Sequence, residues 1–195
     1  MSRVKKSKSF TVIAIAGSLR EKSYNRMLLD AAAEIGGRAC ILQIVTLENI
    51  PLYNQDIEEK YGVPSAVKEL QDRIAKADGL LLATPEYNHS ISGVMKNAID
   101  YLSRPPKEID RVFSNLPVGI IGATLSRGGT ALAQAAWLPI LHTLGALPYS
   151  GSDVLVAKAD TVFSKTGKLT DAKIKKQLND YMSGFIEFMK EHRRV

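Results

Sequence analysis

Strict alternation of short apolar runs with helical patterns predicts an α/β fold, a parallel sheet covered by helices on both faces. Three observations carry this expectation. Five runs have strand character, and the first, third and fourth are apolar nearly throughout, as strands buried on both faces are. Each run is followed by a stretch with apolar residues at helical spacing. The chain has 195 residues, of which 45% are hydrophobic and 24% charged, enough for one domain with a sizeable core.

Taken in order, the first strand is "FTVIAIAG" (10–17). A helix follows in which Met27, Leu28, Ala31, Ala32 and Ile35 share a face, and Gly36 and Gly37 stop it. The second strand is "ACILQIVTL" (39–47). The next helix opens at Pro64 and lines up Val67, Leu70, Ile74 and Ala77. "GLLLAT" (79–84) is the third strand, and Ser90 or Ser92 caps the helix "GVMKNAIDYL". "PVGIIGAT" (117–124) is the fourth. After it, "GGTALAQAAWLPILHTLG" is apolar nearly all round, which predicts a helix kinked near Pro139 and buried on more than one side, with another subunit as one cover. "ALPYSGSDVLV" (146–156) is the fifth strand. Thr170 caps a last helix whose Ile174, Leu178, Tyr181, Met182, Phe185 and Met189 face inward as core cover. No repeat, linker or low-complexity run divides the chain, so residues 10–190 read as a single domain behind a basic, flexible arm at 1–9.

Composition excludes several classes. The net charge of +6 resides in the tails: Arg3, Lys5, Lys6 and Lys8 supply +4, while Lys190, Arg193 and Arg194 less Glu191 supply +2, leaving residues 10–189 neutral. A nucleic-acid binder wants a basic face on its folded body, so no nucleic acid is expected. No apolar run is long enough to span a bilayer, and the N-terminus lacks a signal-type apolar stretch, so no membrane is expected either. The lone Cys40 gives neither a disulfide framework nor a CxxC pair, and in the second strand it reads as buried and inert. A cytoplasmic setting follows.

Chemistry-bearing residues gather after the first, third and fourth strands. In an open parallel sheet, ligands sit outside the carboxyl ends of the strands. The first loop joins Ser18, Arg20, Ser23, Tyr24 and Asn25 at a helix start, where free N–H groups and the macrodipole attract anions. It lacks the second glycine and lysine of GxxxxGK[ST], the glycines of GxGxxG, and any activated nucleophile. What remains is a cradle for a terminal phosphomonoester such as that of FMN. Asn25 would tie the loop to itself or to the ligand. The second loop, "TPEYNHSISG" (84–93), is stiffened by Pro85, and the backbone N–H groups of Glu86, Tyr87 and Asn88 would face a flat heterocycle. The third, "LSRGGT" (125–130), brings Ser126 and Arg127 to the same edge, with Gly128 and Gly129 allowing close backbone approach. Three such loops match the FMN geometry of the flavodoxin-like arrangement, a three-layer sandwich with strand order 2-1-3-4-5.

The remaining polar residues have plainer readings. His89 suits a local hydrogen bond, and His142, on an apolar helix, a core or interface imidazole. Lys96 and Asp100 form a surface helix pair. No GxSxG elbow supports a hydrolase triad, and no metal site is expected.

"GSLREKSYN", "TPEYNHSISGVMKNAIDYLSRP" and "GATLSRGGTALAQ" resemble the NADPH-dependent FMN reductase family, in particular its bacterial chromate and quinone reductase branch, from about Thr11 to Val156. The resemblance implies FMN as cofactor and NADPH or NADH as electron donor, with quinones, chromate, ferric chelates or azo dyes as acceptors. It implies that Ser18, Arg20, Ser23, Tyr24 and Asn25 line the phosphate and ribityl end. Pro85, Glu86, Tyr87 and Asn88 would line the ring, with Ser126, Gly128 and Gly129 at its far edge. A homo-oligomer, dimer or tetramer, is implied too, with Arg127 and Tyr149 as boundary residues reaching a neighbour's site. No protein catalytic residue is required, because the flavin carries the chemistry. The alternatives are an electron carrier of flavodoxin type, which would not steadily oxidise NADPH with quinone present, and a flavin-free interaction protein, which would ignore added FMN.

Overall fold

The computed structural model describes residues 9–193, so the basic arm proposed for 1–9 lies almost wholly outside the described residues. Strands β1 (Phe10–Ala16), β2 (Cys40–Val45), β3 (Gly79–Ala83), β4 (Pro117–Ala123), β5 (Leu147–Pro148) and β6 (Leu155–Val156) form one parallel sheet. Its order is β2-β1-β3-β4-β5, as expected, with β6 also paired to β4. β1 is an interior strand, pairing Phe10–Ile15 with Cys40–Val45 on one side and Val12–Ala16 with Gly79–Ala83 on the other.

Helices α1 (Tyr24–Gly36), α3 (Ser65–Ala75), α4 (Gly93–Leu102), α6 (Ala131–Thr143) and α8 (Ala172–Glu191) stand where periodicity predicts them. Three short helices were not legible: α2 (Gln55–Tyr61), α5 (Glu108–Phe113) and α7 (Ala159–Val162). α2 buries none of its residues, so no apolar stripe announces it. It rests instead on Asn54, whose side chain accepts from the N–H groups of Asp56 and Ile57.

Alternation along the strands sends side chains to two cores. Ile13, Ile15, Leu80, Leu82, Val118 and Ile120 pack with α3, α4, α5 and α6, around Tyr101, Phe113 and Trp137. Val12, Ala14, Ala16, Leu81, Ala83 and Ile121 pack with α1 and α8. The second face is built of smaller residues. A Cβ on Gly119 would sit 2.9 Å from the Tyr181 hydroxyl, so α8 lies directly on the backbone of β4.

Four local expectations are narrowed or corrected. Ser92 rather than Ser90 caps α4, accepting from the Met95 N–H. Asp171, not Thr170, caps α8; the Thr170 hydroxyl donates to the Val162 carbonyl instead. α6 runs through Pro139 but buries only Ala133, Trp137 and Leu141 in this chain, leaving Leu132 and Leu138 exposed. His142 is exposed on the same helix rather than part of the core.

The fifth strand is interrupted. β5 pairs with the start of β4 and β6 with its end; the Tyr149 N–H still donates to the Val118 carbonyl and the Val154 carbonyl accepts from the Gly122 N–H, so only residues 150–153 bow away between them. The Ile120 N–H, facing that gap, donates instead to the Tyr181 hydroxyl at 2.7 Å.

Candidate functional site

The three loops converge at the carboxyl edge of the sheet. In the first, between β1 and α1, the Ser23 side chain accepts from the Arg26 N–H at 3.3 Å and fixes the start of α1. The Gly17 N–H is held by the Ala83 carbonyl at 2.9 Å. Gly17 is required there, since a Cβ would lie 2.6 Å from Pro85 Cδ. Beyond it, the N–H groups of Ser18, Leu19, Glu21, Lys22, Ser23, Tyr24 and Asn25 make no hydrogen bond among the described residues. The Arg20 side chain is exposed and, among the described residues, makes no ion pair. A turn of unpaired donors at a helix start, beside an unneutralised guanidinium, has the chemistry of an anion cradle.

Asn25 does not offer its side chain to a ligand. Its Nδ2 donates to the Ala123 carbonyl and its Oδ1 accepts from the Ala123 N–H, both at 2.9 Å and buried. This clamp ties the start of α1 to the end of β4. Tyr24 is half-buried, its ring stacked on Phe163 with centroids 5.9 Å apart.

In the second loop, Tyr87 and Ser90 exchange backbone hydrogen bonds at 3.0 Å around Asn88 and His89, both at positive φ (51° and 61°). This is a type I′ hairpin turn, which favours asparagine. Of the three amides expected to face a heterocycle, that of Tyr87 is therefore consumed; those of Glu86 and Asn88 are unpaired among the described residues. The Glu86 side chain turns away from the cleft and accepts from the N–H groups of Leu132 and Ala133, each at 3.0 Å, at the start of α6. The exposed His89 ring lies 3.6 Å from the same carboxylate. Beneath the loop, the Trp137 indole donates to the Thr84 hydroxyl, which donates to the Pro85 carbonyl.

The third loop is held by a hydrogen bond from the Lys158 N–H to the Ser126 carbonyl at 3.1 Å. Gly129 needs its positive φ of 68°, and a Cβ there would press on the Leu155 carbonyl at 3.1 Å. Around Gly128 a Cβ would meet nothing, so that side of the turn is open. Arg127 is exposed and makes no ion pair among the described residues. Tyr149 is placed elsewhere. Its ring packs on Tyr181, Phe185 and Phe188, so the residue expected at a neighbour's site belongs to the α8 layer of its own chain.

One cleft of about 120 Å³ unites the first two loops with the end of β4. Ser18, Arg20, Ser23, Tyr24 and Asn25 line one end and Pro85 and Tyr87 the other. From the third loop comes Leu125, with Thr124 just before it, rather than Ser126, Gly128 and Gly129, which stand farther along the turn. Larger hollows of about 490 and 680 Å³ lie over α3 and α5 and at the amino edge of the sheet. Volume does not mark the site; the unpaired donors do. At 47% and 55% exposure, Tyr87 and Leu125 give the cleft an apolar rim at the end opposite its anion cradle. A molecule with a phosphate at one end and a flat ring at the other, as FMN is, fits this donor set. No group of acidic, histidine or cysteine residues fit to hold a metal occurs among the described residues.

Sequence reasoning missed Asn25 as a clamp and Glu86 as a side-chain anchor. Both partners are backbone groups far along the chain, which no local signal marks. Leu125 and Thr124 were passed over for Ser126 and the two glycines farther along the same turn.

Residues 10–161 match the family model of NADPH-dependent FMN reductase. The chain is 38% identical over 176 residues to a NAD(P)H-dependent FMN reductase of Pseudomonas aeruginosa, covering 90% of this chain and 93% of that one. It is 33% identical to a quinone reductase of Pseudomonas putida, over 97% of this chain and 100% of the other. Among solved structures, FerB, a flavoenzyme NAD(P)H:(acceptor) oxidoreductase from Paracoccus denitrificans, superposes with a TM-score of 0.85 at 30% identity, over 95% of this chain and 100% of that one.

Proposed function

The chain belongs to the NADPH-dependent FMN reductase family, and on that premise we propose that it is a quinone reductase whose FMN lies in the three-loop cleft. It is an oxidoreductase that uses FMN and NAD(P)H. The observation that carries the assignment of the site is the set of unpaired amides between Ser18 and Asn25, all but that of Arg20, which donates to the Ser18 hydroxyl, at the start of α1. Those amides, the Ser18 hydroxyl and the Arg20 fork hold the phosphate. Pro85, Tyr87 and Leu125 cover the ring, and the free N–H groups of Glu86 and Asn88 donate to its acceptors. Bound FMN supplies the hydride acceptor and donor. The protein contributes position and fixed dipoles, and no side chain has to act as nucleophile or proton donor. NAD(P)H and the acceptor take turns at the open side of the cleft, by Gly128. Exposed Arg127 attracts the NADPH phosphates or anionic acceptors; unchanged kinetics in Arg127→Ala for NADPH and every acceptor would remove it from this role. Chromate, ferric chelates and azo dyes are secondary acceptors at the same opening.

We also propose a homo-oligomer, dimer or tetramer. Leu125, Leu132 and Leu138 expose apolar surface on one region of the loop and α6, which a second copy would cover. No helix among the described residues is long and apolar enough to cross a membrane, and a cytoplasmic setting accords with the lone, buried cysteine.

The test is a visible spectrum of the pure protein reconstituted with FMN. A bound-flavin spectrum, bleached by anaerobic NADPH and restored by benzoquinone, is expected. A protein that leaves FMN unbound, or holds it without reacting with either nicotinamide, overturns the assignment.

A further inference from the structure

We propose that Glu86 is a positioning residue that also sets the electron affinity of the flavin. The inference rests on the placement of FMN in the three-loop cleft. Glu86 sits in "PEYN" between Pro85 and Tyr87, both of which line that cleft. One of its carboxylate oxygens accepts from two successive N–H groups at the start of α6, at 3.0 Å each, and its side chain is only 10% exposed. α6 has no side-chain cap of its own, because Thr130 makes no such hydrogen bond. Glu86 is that cap, supplied from 46 residues upstream.

Two consequences follow. The bond joins the second loop to the element that follows the third, so the ring-covering residues on both sides are fixed relative to each other. It also places a full negative charge on the positive end of α6, which would otherwise face the loops unopposed. Hydride uptake brings two electrons and one proton from NAD(P)H, leaving NAD(P)⁺, and the ring gains one negative charge. An anion at Glu86, inside the loop that covers the ring, disfavours that gain. Removing it exposes the α6 N-terminus, and both changes favour the reduced form. Oxidation of the flavin by an acceptor is correspondingly helped by Glu86.

The experiment compares the full-length FMN-loaded protein with Glu86→Gln and Glu86→Asp. Affinities for oxidised and for reduced FMN are measured anaerobically, at one and the same pH for all three proteins. Glu86→Gln keeps an acceptor for the α6 amides without the charge. It is expected to shift the ratio of the two affinities toward reduced FMN by about tenfold, a rise of about 30 mV in the two-electron midpoint potential. Glu86→Asp restores the charge and holds the ratio within about twofold of the parent protein, whatever it does to both affinities together. A Glu86→Gln protein that loses affinity for both forms equally, with the ratio unchanged, overturns the electrostatic role and leaves a purely structural cap. So does a Glu86→Asp protein with the ratio of Glu86→Gln. Failure of the parent protein to bind FMN overturns the placement of the flavin, and the inference with it, and is seen before any variant is measured.

Discussion

The sheet leaves backbone donors without a strand partner in two places, and the protein treats them in opposite ways. In the gap between β5 and β6, the Ile120 N–H has no carbonyl opposite it, and the buried Tyr181 hydroxyl closes the vacancy. Burial pushes the Tyr181 hydroxyl far above the usual phenol range, outweighing the opposing effect of the Ile120 hydrogen bond, so it is held as the neutral phenol. At the carboxyl edge, seven amides of the first loop stay open. An unpaired buried donor costs about 1–3 kcal/mol, so closing the first vacancy is a matter of stability. Leaving the second group open, where water or a phosphate can reach it, is a matter of function. The contrast teaches where to look for a site in this fold: not at the largest hollow, but where the backbone's own bonding stops short.

Substitutions at these groups test the difference between the two regions. Asn25 stands between the two regions, because it is both a buried hydrogen-bonding group and the hinge of the anion loop. Asn25→Leu strands the N–H and C=O of Ala123 together and is expected to cost about 2–5 kcal/mol in urea unfolding, with weakened FMN binding. Tyr181→Phe strands only the Ile120 N–H. A loss of about 1–3 kcal/mol is expected, with the flavin dissociation constant unchanged in a fluorescence titration; a large change in flavin affinity would erase the distinction between the regions. Arg20→Ala should do the reverse. FMN binding weakens by about 10- to 100-fold, as loss of a charge-assisted bond implies, while the melting temperature of the flavin-free protein holds. Ser23→Ala is intermediate, costing about 1 kcal/mol as a lost helix cap and a smaller factor in affinity. The smallest effect concerns Cys40, whose thiol is pushed up to about 12 by burial and then by the charge of Asp78. Its raised pKa means that its contribution is complete below pH 9 and is lost as pH rises toward 12, where the unfolded thiol ionises and the folded one does not. Iodoacetamide at pH 8 should leave it unmodified in the native chain and label it on unfolding.

The expectations that held share a physical cause. β1, β3 and β4 announce themselves because a strand buried on both faces must be apolar at nearly every position, and their burial is complete or nearly so. α8 reads clearly because its apolar stripe finds its whole cover in this chain, from Leu178 to Met189. α6 reads as apolar all round, and part of that surface, at Leu132 and Leu138, finds none. The run 146–156 reads as one strand because Leu147 and Leu155 both carry strand character; nothing local says that the residues between them leave the sheet.

By itself, then, the order of residues determined the layer architecture, the strand order and which three turns carry ligand-suited groups. The layers and the turns follow from periodicity and turn chemistry, which act over a few residues; the strand order followed from the likeness of the three loops to the flavodoxin-like arrangement. Only the tertiary structure decided what each polar group in those turns is for. Asn25 and Glu86 were legible as site residues, yet their side chains are spent on backbone groups 98 and about 46 positions away, while Tyr149 was drawn into the α8 layer. A polar side chain takes whichever partner lies within about 3 Å, and only the packed chain brings such distant partners that close.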